Sequence, residues 1–407
     1  MPVWFEQFDG LIELSLDYER NELVLVDAEL GEIRSDAPPG GVPPLLDFRQ
    51  VTVRVRDRAL VMVTPGGRTI EVELFWFDDQ RTRQRGRPVV YLDQNKWVQL
   101  AQALVRPDRV RDSAEREATL ALVALARQGT LILPLSSGHY IETGPLYEDR
   151  RRQLASNMVE LSSGWIMRDP LTVRMQELVL SFHSQGSPAS IRQPVFTLDP
   201  AALETRGELP PERSGGSLED TTDVLANASA RFAVLLENSR IKNPEGDAYT
   251  AEWAAAQQGW ADALAGDRAA RGRARSITLG VFLTDLGQHL TSACIAAGVT
   301  EEAFRCWLHG TPDEHLKQLP YLGRAREVHY QRLMNPQDRW HPHDLIDWMY
   351  LPLAAGYADH VVCENSHAHQ LRRAQRAVLT PGAEVHTSFG QLLSALSSPV
   401  GERSPER

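Results

Sequence analysis

Val89-Val90-Tyr91-Leu92-Asp93-Gln94-Asn95-Lys96-Trp97 sets an apolar run against a single carboxylate, and helix-like spacing begins directly after it. Four consecutive apolar residues suit a strand buried on both faces, as in a parallel sheet. An acid placed where such a strand empties into a turn is aimed at the rim of the sheet, where α/β proteins hold ligands and metals. Two later segments repeat the arrangement: Leu131-Ile132-Leu133-Pro134-Leu135 followed by Glu142, and Asp359-His360-Val361-Val362-Cys363-Glu364. Three strand ends with acids beside them predict one site.

Working outward, the spacing predicts a helix from Asn95 to Leu104 and a second from Ser113 to Gln128, stopped by Gly129 before the strand at Leu131. The order strand, helix, helix, strand requires crossover connections and hence a parallel sheet, so the fold class is α/β. Residues 1–80 read instead as a small β-rich antiparallel module. Leu11-Ile12-Glu13-Leu14-Ser15-Leu16 and Val51-Thr52-Val53-Arg54-Val55 have the period of half-buried strands, and Pro65-Gly66-Gly67 has the position of a hairpin loop. The arginine-rich stretch Asp78 to Pro88 reads as a linker. Residues 147–339 form a mainly helical insertion with a weakly structured segment over 184–217, rich in Pro, Gly and Ser. Within it, Thr250 to Ala270 reads as a packed helix carrying Trp253 and Trp260. The α/β core is therefore expected to comprise 88–146 and 340–400.

The net charge of −11 argues against a protein that coats nucleic acid by bulk electrostatics, since that mode needs many cationic contacts to phosphate. Local basic patches remain: Arg81 to Arg87, Arg150-Arg151-Arg152, Arg268 to Arg275, and Arg372-Arg373 with Arg376. Each reads first as a solvated face. No apolar run approaches the ~18–20 residues that span a bilayer, and Met1-Pro2-Val3-Trp4-Phe5-Glu6 lacks the character of a signal peptide, so the cytoplasm is the expected compartment. Cys294, Cys306 and Cys363 are widely spaced and odd in number, which predicts reduced thiols rather than a disulfide framework.

Asp344 stands where a helix begins, and Asp347 follows three positions on, which puts both carboxylates on one face of the first turn. A hard cation such as Mg²⁺ or Mn²⁺ wants oxygen ligands, and phosphodiester hydrolysis uses such an ion to neutralise phosphoryl charge and activate water. Asp93, Glu142, Asp344 and either Asp359 or Glu364 are the candidate catalytic and metal-binding acids, with Asp347 beside them. Asn95 and Lys96 are candidates for holding substrate. Each acid also has a plain structural role open to it: Asp93 and Asp344 as helix N-caps, Asp347 as a partner of the helix dipole, Glu142 as a surface residue.

In these motifs the chain resembles the PIN-domain nucleases, metal-dependent ribonucleases with a central parallel sheet. Tyr91-Leu92-Asp93-Gln94-Asn95 is similar to the family's opening motif. Leu131 to Leu135 with Glu142 looks like its second element, and Asp344 to Glu364 looks like its third. Cys363-Glu364-Asn365 stands where the family has Thr, a variable residue, then Asp. The resemblance implies a PIN-like α/β fold and an Mg²⁺- or Mn²⁺-dependent endoribonuclease acting on RNA, with DNA left open. A second reading is a nucleic-acid or partner-binding protein that does not cut. A third is a toxin or defence effector restrained by a regulatory protein partner or assembled as an oligomer. His341, His343, His367 and His369 offer a competing zinc hydrolase constellation, although the paired i, i+4 histidines of a helical zinc motif are absent.

Overall fold

The computed structural model describes residues 10–36, 48–74, 84, 86–110, 112–183, 193–204, 229–236, 242–310 and 312–397. Arg81, Arg83 and Arg85 of the first basic patch lie outside these residues, as does most of the segment 184–217. The chain begins with β1 (Leu11–Asp17), β2 (Glu22–Asp27), β3 (Gly31–Asp36), β4 (Gln50–Arg54), β5 (Ala59–Val63) and β6 (Thr69–Glu73). They form one antiparallel sheet in the order β3-β2-β1-β4-β5-β6. The hairpin expected at Pro65-Gly66-Gly67 joins β5 to β6, with Gly67 at φ 79°, a backbone conformation that favours glycine.

The α/β region opens with β7 (Val90–Leu92), α1 (Gln94–Val105), α2 (Ser113–Arg127), α3 (Ser137–Thr143), α4 (Glu148–Ser162) and β8 (Ile166–Met167). Both predicted helices stand within a residue or two of their expected bounds, and Gly129 ends the second at φ 67°. The predicted strand Leu131–Leu135 is reduced to two isolated parallel bridges, Val89 to Ile132 and Leu135 to Ile166. Pro134 between them has no N–H to give, which breaks the ladder.

Helices then dominate: α5 (Pro170–His183), a short β9 (Phe196–Thr197) paired with β8, then α6 (Pro244–Gly266), α7 (Arg268–Gly272), α8 (Ala274–Asp285), α9 (Gly287–Ala296), α10 (Glu301–His309), α11 (Pro312–Lys317) and α12 (Pro320–Leu333). Trp253 of α6 packs against Trp340 and Trp348 at 5.3 and 5.6 Å between ring centroids, as a packed helix requires, whereas Trp260 is 45% exposed. The chain returns to the sheet through α13 (Asp344–Tyr357), β10 (His360–Val362), α14 (Asn365–Ala377), β11 (Glu384–His386) and α15 (Phe389–Ser397). Pro352 lies inside α13. No helix among the described residues is long and apolar enough to cross a membrane.

β7, β10 and β11 are parallel in the order β11-β10-β7, and the two bridges continue that order through Ile132 and Leu135 to Ile166. The first strand of the sheet is thus internal, with later segments added first on one side and then on the other. Alternation divides the core among the described residues. Val90, Leu92 and Val362 face a cluster shared with the antiparallel sheet, α1, α2 and α4, whereas Val89, Tyr91 and Val361 face one shared with α12, α13 and the other later helices. Both faces are covered, which is why these strands read as unbroken apolar runs.

Candidate active site

The carboxyl ends of β7 and β10 stand side by side, because Val362 registers with Leu92 and the Asp93 N–H donates to the Val362 carbonyl at 3.0 Å. This is where the strand order reverses, and open α/β sheets form their ligand crevice outside the strand ends at such a point. Asp93 leaves β7 as the N-cap of α1, its Oδ1 accepting from the Gln94 N–H at 2.8 Å. It is only 6% exposed. Glu364 leaves β10 at the exposed mouth, and its Oε1 accepts from Asn95 Nδ2 at 2.6 Å.

Glu142 comes from α3, whose start is fixed by an unusual reciprocal cap. Ser136 Oγ accepts from the His139 N–H, and His139 Nδ1 accepts from the Ser136 N–H at 3.0 Å. His139 Nε2 then donates to the Leu92 carbonyl at 2.9 Å, which ties α3 to the end of β7. Burial depresses this imidazole to about 4, so it is a neutral structural link near neutral pH. Gln94 Nε2 donates to Thr143 Oγ1 at 3.0 Å, a second tie. Gly138 allows α3 to approach α13, since a Cβ there would stand 3.0 Å from the Tyr350 ring and 3.2 Å from Ile346. Ser137 Oγ and Tyr350 Oη share a 2.7 Å hydrogen bond across the same seam.

From α13 the two first-turn acids part company. Asp344 is held by Arg332 Nη2 at 2.8 Å and by the His341 N–H at 2.6 Å, through the same Oδ2. Asp347 lies toward the other acids, with its Oδ2 3.7 Å from His367 Nε2. Charge influence runs among Asp93, Glu142 and Asp347, and from Glu364 to Asp93 and Asp347. Asp93 is pushed up to about 6 by burial and then by Asp347, with His367 opposing and Glu364 adding a smaller push. Glu142 rises to about 8 through burial, Asp347 and Asp93. Asp347 rises to about 7 through burial, Asp344 and Glu364, with Arg332 opposing. Carboxylates held in mutual repulsion in a partly dry crevice are the condition that draws in a proton or a cation.

Asp359 is not part of this group. It precedes β10, at the amino end of the strand, and its Oδ2 accepts from the Val89 N–H at 2.8 Å. Of the two acids weighed for the last position, Glu364 is the one at the carboxyl edge. Lys96 points sideways, donating from Nζ to the Thr387 carbonyl at 2.7 Å. The four histidines weighed for zinc do not converge: His341 and His343 stack on each other at 5.4 Å, while His367 sits beside Asp347. Among the described residues the acids do not form a closed cage either, since their oxygens fall outside the 4.8 Å mutual spacing that one other trio meets. Arg151 of the second basic patch is a buried structural group, bonded to the carbonyls of Gly144, Val234 and Leu235. Sequence reasoning missed the ties that aim Glu142, Gly138 and His139 above all; the small Ser-Ser-Gly-His run after Leu135 was their one signal.

No family model, curated protein or solved structure matches this chain.

Proposed function

We propose that this chain is a metal-dependent nuclease of PIN-like architecture that hydrolyses phosphodiester bonds in RNA. The observation that carries the reading is the grouping of Asp93, Glu142, Asp347 and Glu364 around the reversal point of a parallel sheet, three of them with carboxyls raised by burial and by neighbouring acids. The donor set fits a hard dication, being all oxygen and in excess of negative charge. Mg²⁺ or Mn²⁺, when bound, supplies neutralisation of phosphoryl charge and activation of water. Asp93, Glu142, Asp347 and Glu364 would hold it. Asp344 acts one step back, with Arg332 fixing the first turn of α13 and so the direction of Asp347. Asn95 orients Glu364 through their hydrogen bond. His367, beside Asp347, is the nearby imidazole available to meet a phosphate oxygen or to pass a proton at the crevice.

The open spacing of the acids favours a second reading, a protein that binds nucleic acid or a partner without cutting. One assay separates the two. Purified full-length chain is incubated with labelled single-stranded and structured RNA, with Mn²⁺, with Mg²⁺ and with chelator. Metal-dependent cleavage that is lost in Asp93→Asn supports the nuclease. Retention of RNA without cleavage supports the second reading, and cleavage unchanged in Asp93→Asn overturns the assignment of the site.

A further inference from the structure

His360, Glu384 and His386 lie on one face of the sheet at its β11 edge, apart from the acid crevice. Period-two alternation puts Glu384 and His386 on the same side of β11, and the parallel register sets His360 opposite Glu384. His360 Nδ1 stands 3.0 Å from His386 Nε2 and 3.9 Å from Glu384 Oε2, and one ligand atom from each residue lies within 4.8 Å of the others. Both imidazoles are buried, at 3% and 4% exposure, whereas Glu384 reaches solvent. The three side chains border a broad cleft of about 1630 Å³, open to solvent and lined also by Arg324, Arg372 and Arg376.

We propose that His360, Glu384 and His386 form a binding site for a transition-metal dication of the zinc class. Bonds of ~2.0–2.1 Å in tetrahedral array separate neighbouring ligand atoms by about 3.3 Å, so the observed spacings need small side-chain rotations and no backbone movement. Imidazole nitrogens select zinc-class ions over Mg²⁺, which distinguishes this site from the all-oxygen crevice. Two adjacent strands supply the ligands, so the ion clamps edge strand β11 to β10. The fourth position faces the cleft, where an anionic group would meet both the ion and the exposed Arg372 and Arg376. A hydrogen bond between the two imidazoles is the competing account of their 3.0 Å approach.

The test uses full-length chain stripped by chelator, in a His341→Ala/His343→Ala background that removes the exposed stacked pair. Zn²⁺ is titrated by calorimetry, and Co²⁺ replaces it to give a visible spectrum of the coordination sphere. The proposal expects one equivalent of Zn²⁺, a low-symmetry Co²⁺ spectrum, and a rise in melting temperature on Zn²⁺ addition. Glu384 is exposed, so Glu384→Gln keeps the fold and weakens Zn²⁺ binding by about 10-fold or more. His386→Asn removes the binding and the melting shift while keeping a polar partner for His360. Absence of stoichiometric binding overturns the site, as does binding unchanged in both variants; Asp93→Asn leaves it intact.

Discussion

Two sets of wholly or partly buried carboxylates in this protein differ in their partners. Glu177 on α5 is fully buried and raised to about 7 by burial. It nevertheless receives the N–H groups of Tyr321 and Leu322 at 2.8 Å each and the Tyr357 hydroxyl at 2.6 Å. Those donors belong to the buried N-terminal turn of α12 and to α13, so the acid closes a helix end that would otherwise be unsatisfied. Asp93, Glu142 and Asp347 are raised as well, but each meets another acid among its strongest influences. Burial with donors makes a structural joint; burial against like charge makes a site held in tension. A protein retains such tension where activity needs it.

The largest expected effect separates the sets by activity. Asp93→Asn and Glu142→Gln each lower metal-dependent RNA cleavage by at least about 100-fold, roughly 3 kcal/mol in barrier, measured by initial rates on labelled RNA. Glu177→Gln leaves those rates within a few-fold. Stability reverses the ranking: Glu177→Ala costs about 2–4 kcal/mol in urea unfolding because it orphans buried N–H groups, whereas Asp93→Asn at pH 8 stabilises the metal-free protein by about 1–3 kcal/mol. A destabilised Asp93→Asn would remove the idea of stored repulsion.

The pH dependence has a defined sign. Carboxyls whose folded values stand near 6, 7 and 8 bind more protons folded than unfolded from the ordinary range near 4 upward. Stability of the metal-free chain therefore falls as pH rises from about 4 to about 8, with Glu177 contributing in the same direction. Mn²⁺ competes with those protons, so its stabilising shift in melting temperature is greatest at pH 8, shrinks through 7 and 6, and is absent in Asp93→Asn. An equal Mn²⁺ shift at pH 5 and pH 8 would show that these acids are not its ligands. The smallest effect tests the scaffold. Gly138→Ala forces Tyr350 or Ile346 to yield by a few tenths of an ångström, lowering cleavage several-fold with a stability loss of about 1 kcal/mol.

Much of the framework was legible in the residue order. Val89 to Leu92 and His360 to Val362 read as strands because burial on both faces leaves unbroken apolar runs, and Gly129 read as a helix stop because it alone tolerates the required φ. Leu131 to Leu135 forms only isolated bridges where its sequence predicts a strand, because its hydrophobicity is that of a sheet element while Pro134 denies it the ladder. The trio at His360, Glu384 and His386 leaves no local signature, since two of its members lie on one strand and the third is 24 residues earlier.

The chain by itself determined that acids would stand at the ends of buried strands, because alternation and apolar runs fix where a strand stops and which end faces the turn. Only the tertiary structure decided which of them meet. Asp344 and Asp347 are equivalent in a helical projection of the first turn, yet Arg332, brought alongside by α12, takes Asp344 and leaves Asp347 to the crevice. Asp359 and Glu364 flank one strand, and parallel pairing with β7 puts Glu364 beside Asp93 and Asp359 at the far end. Local spacing sets direction along an element; partnership across elements depends on packing that no local pattern encodes.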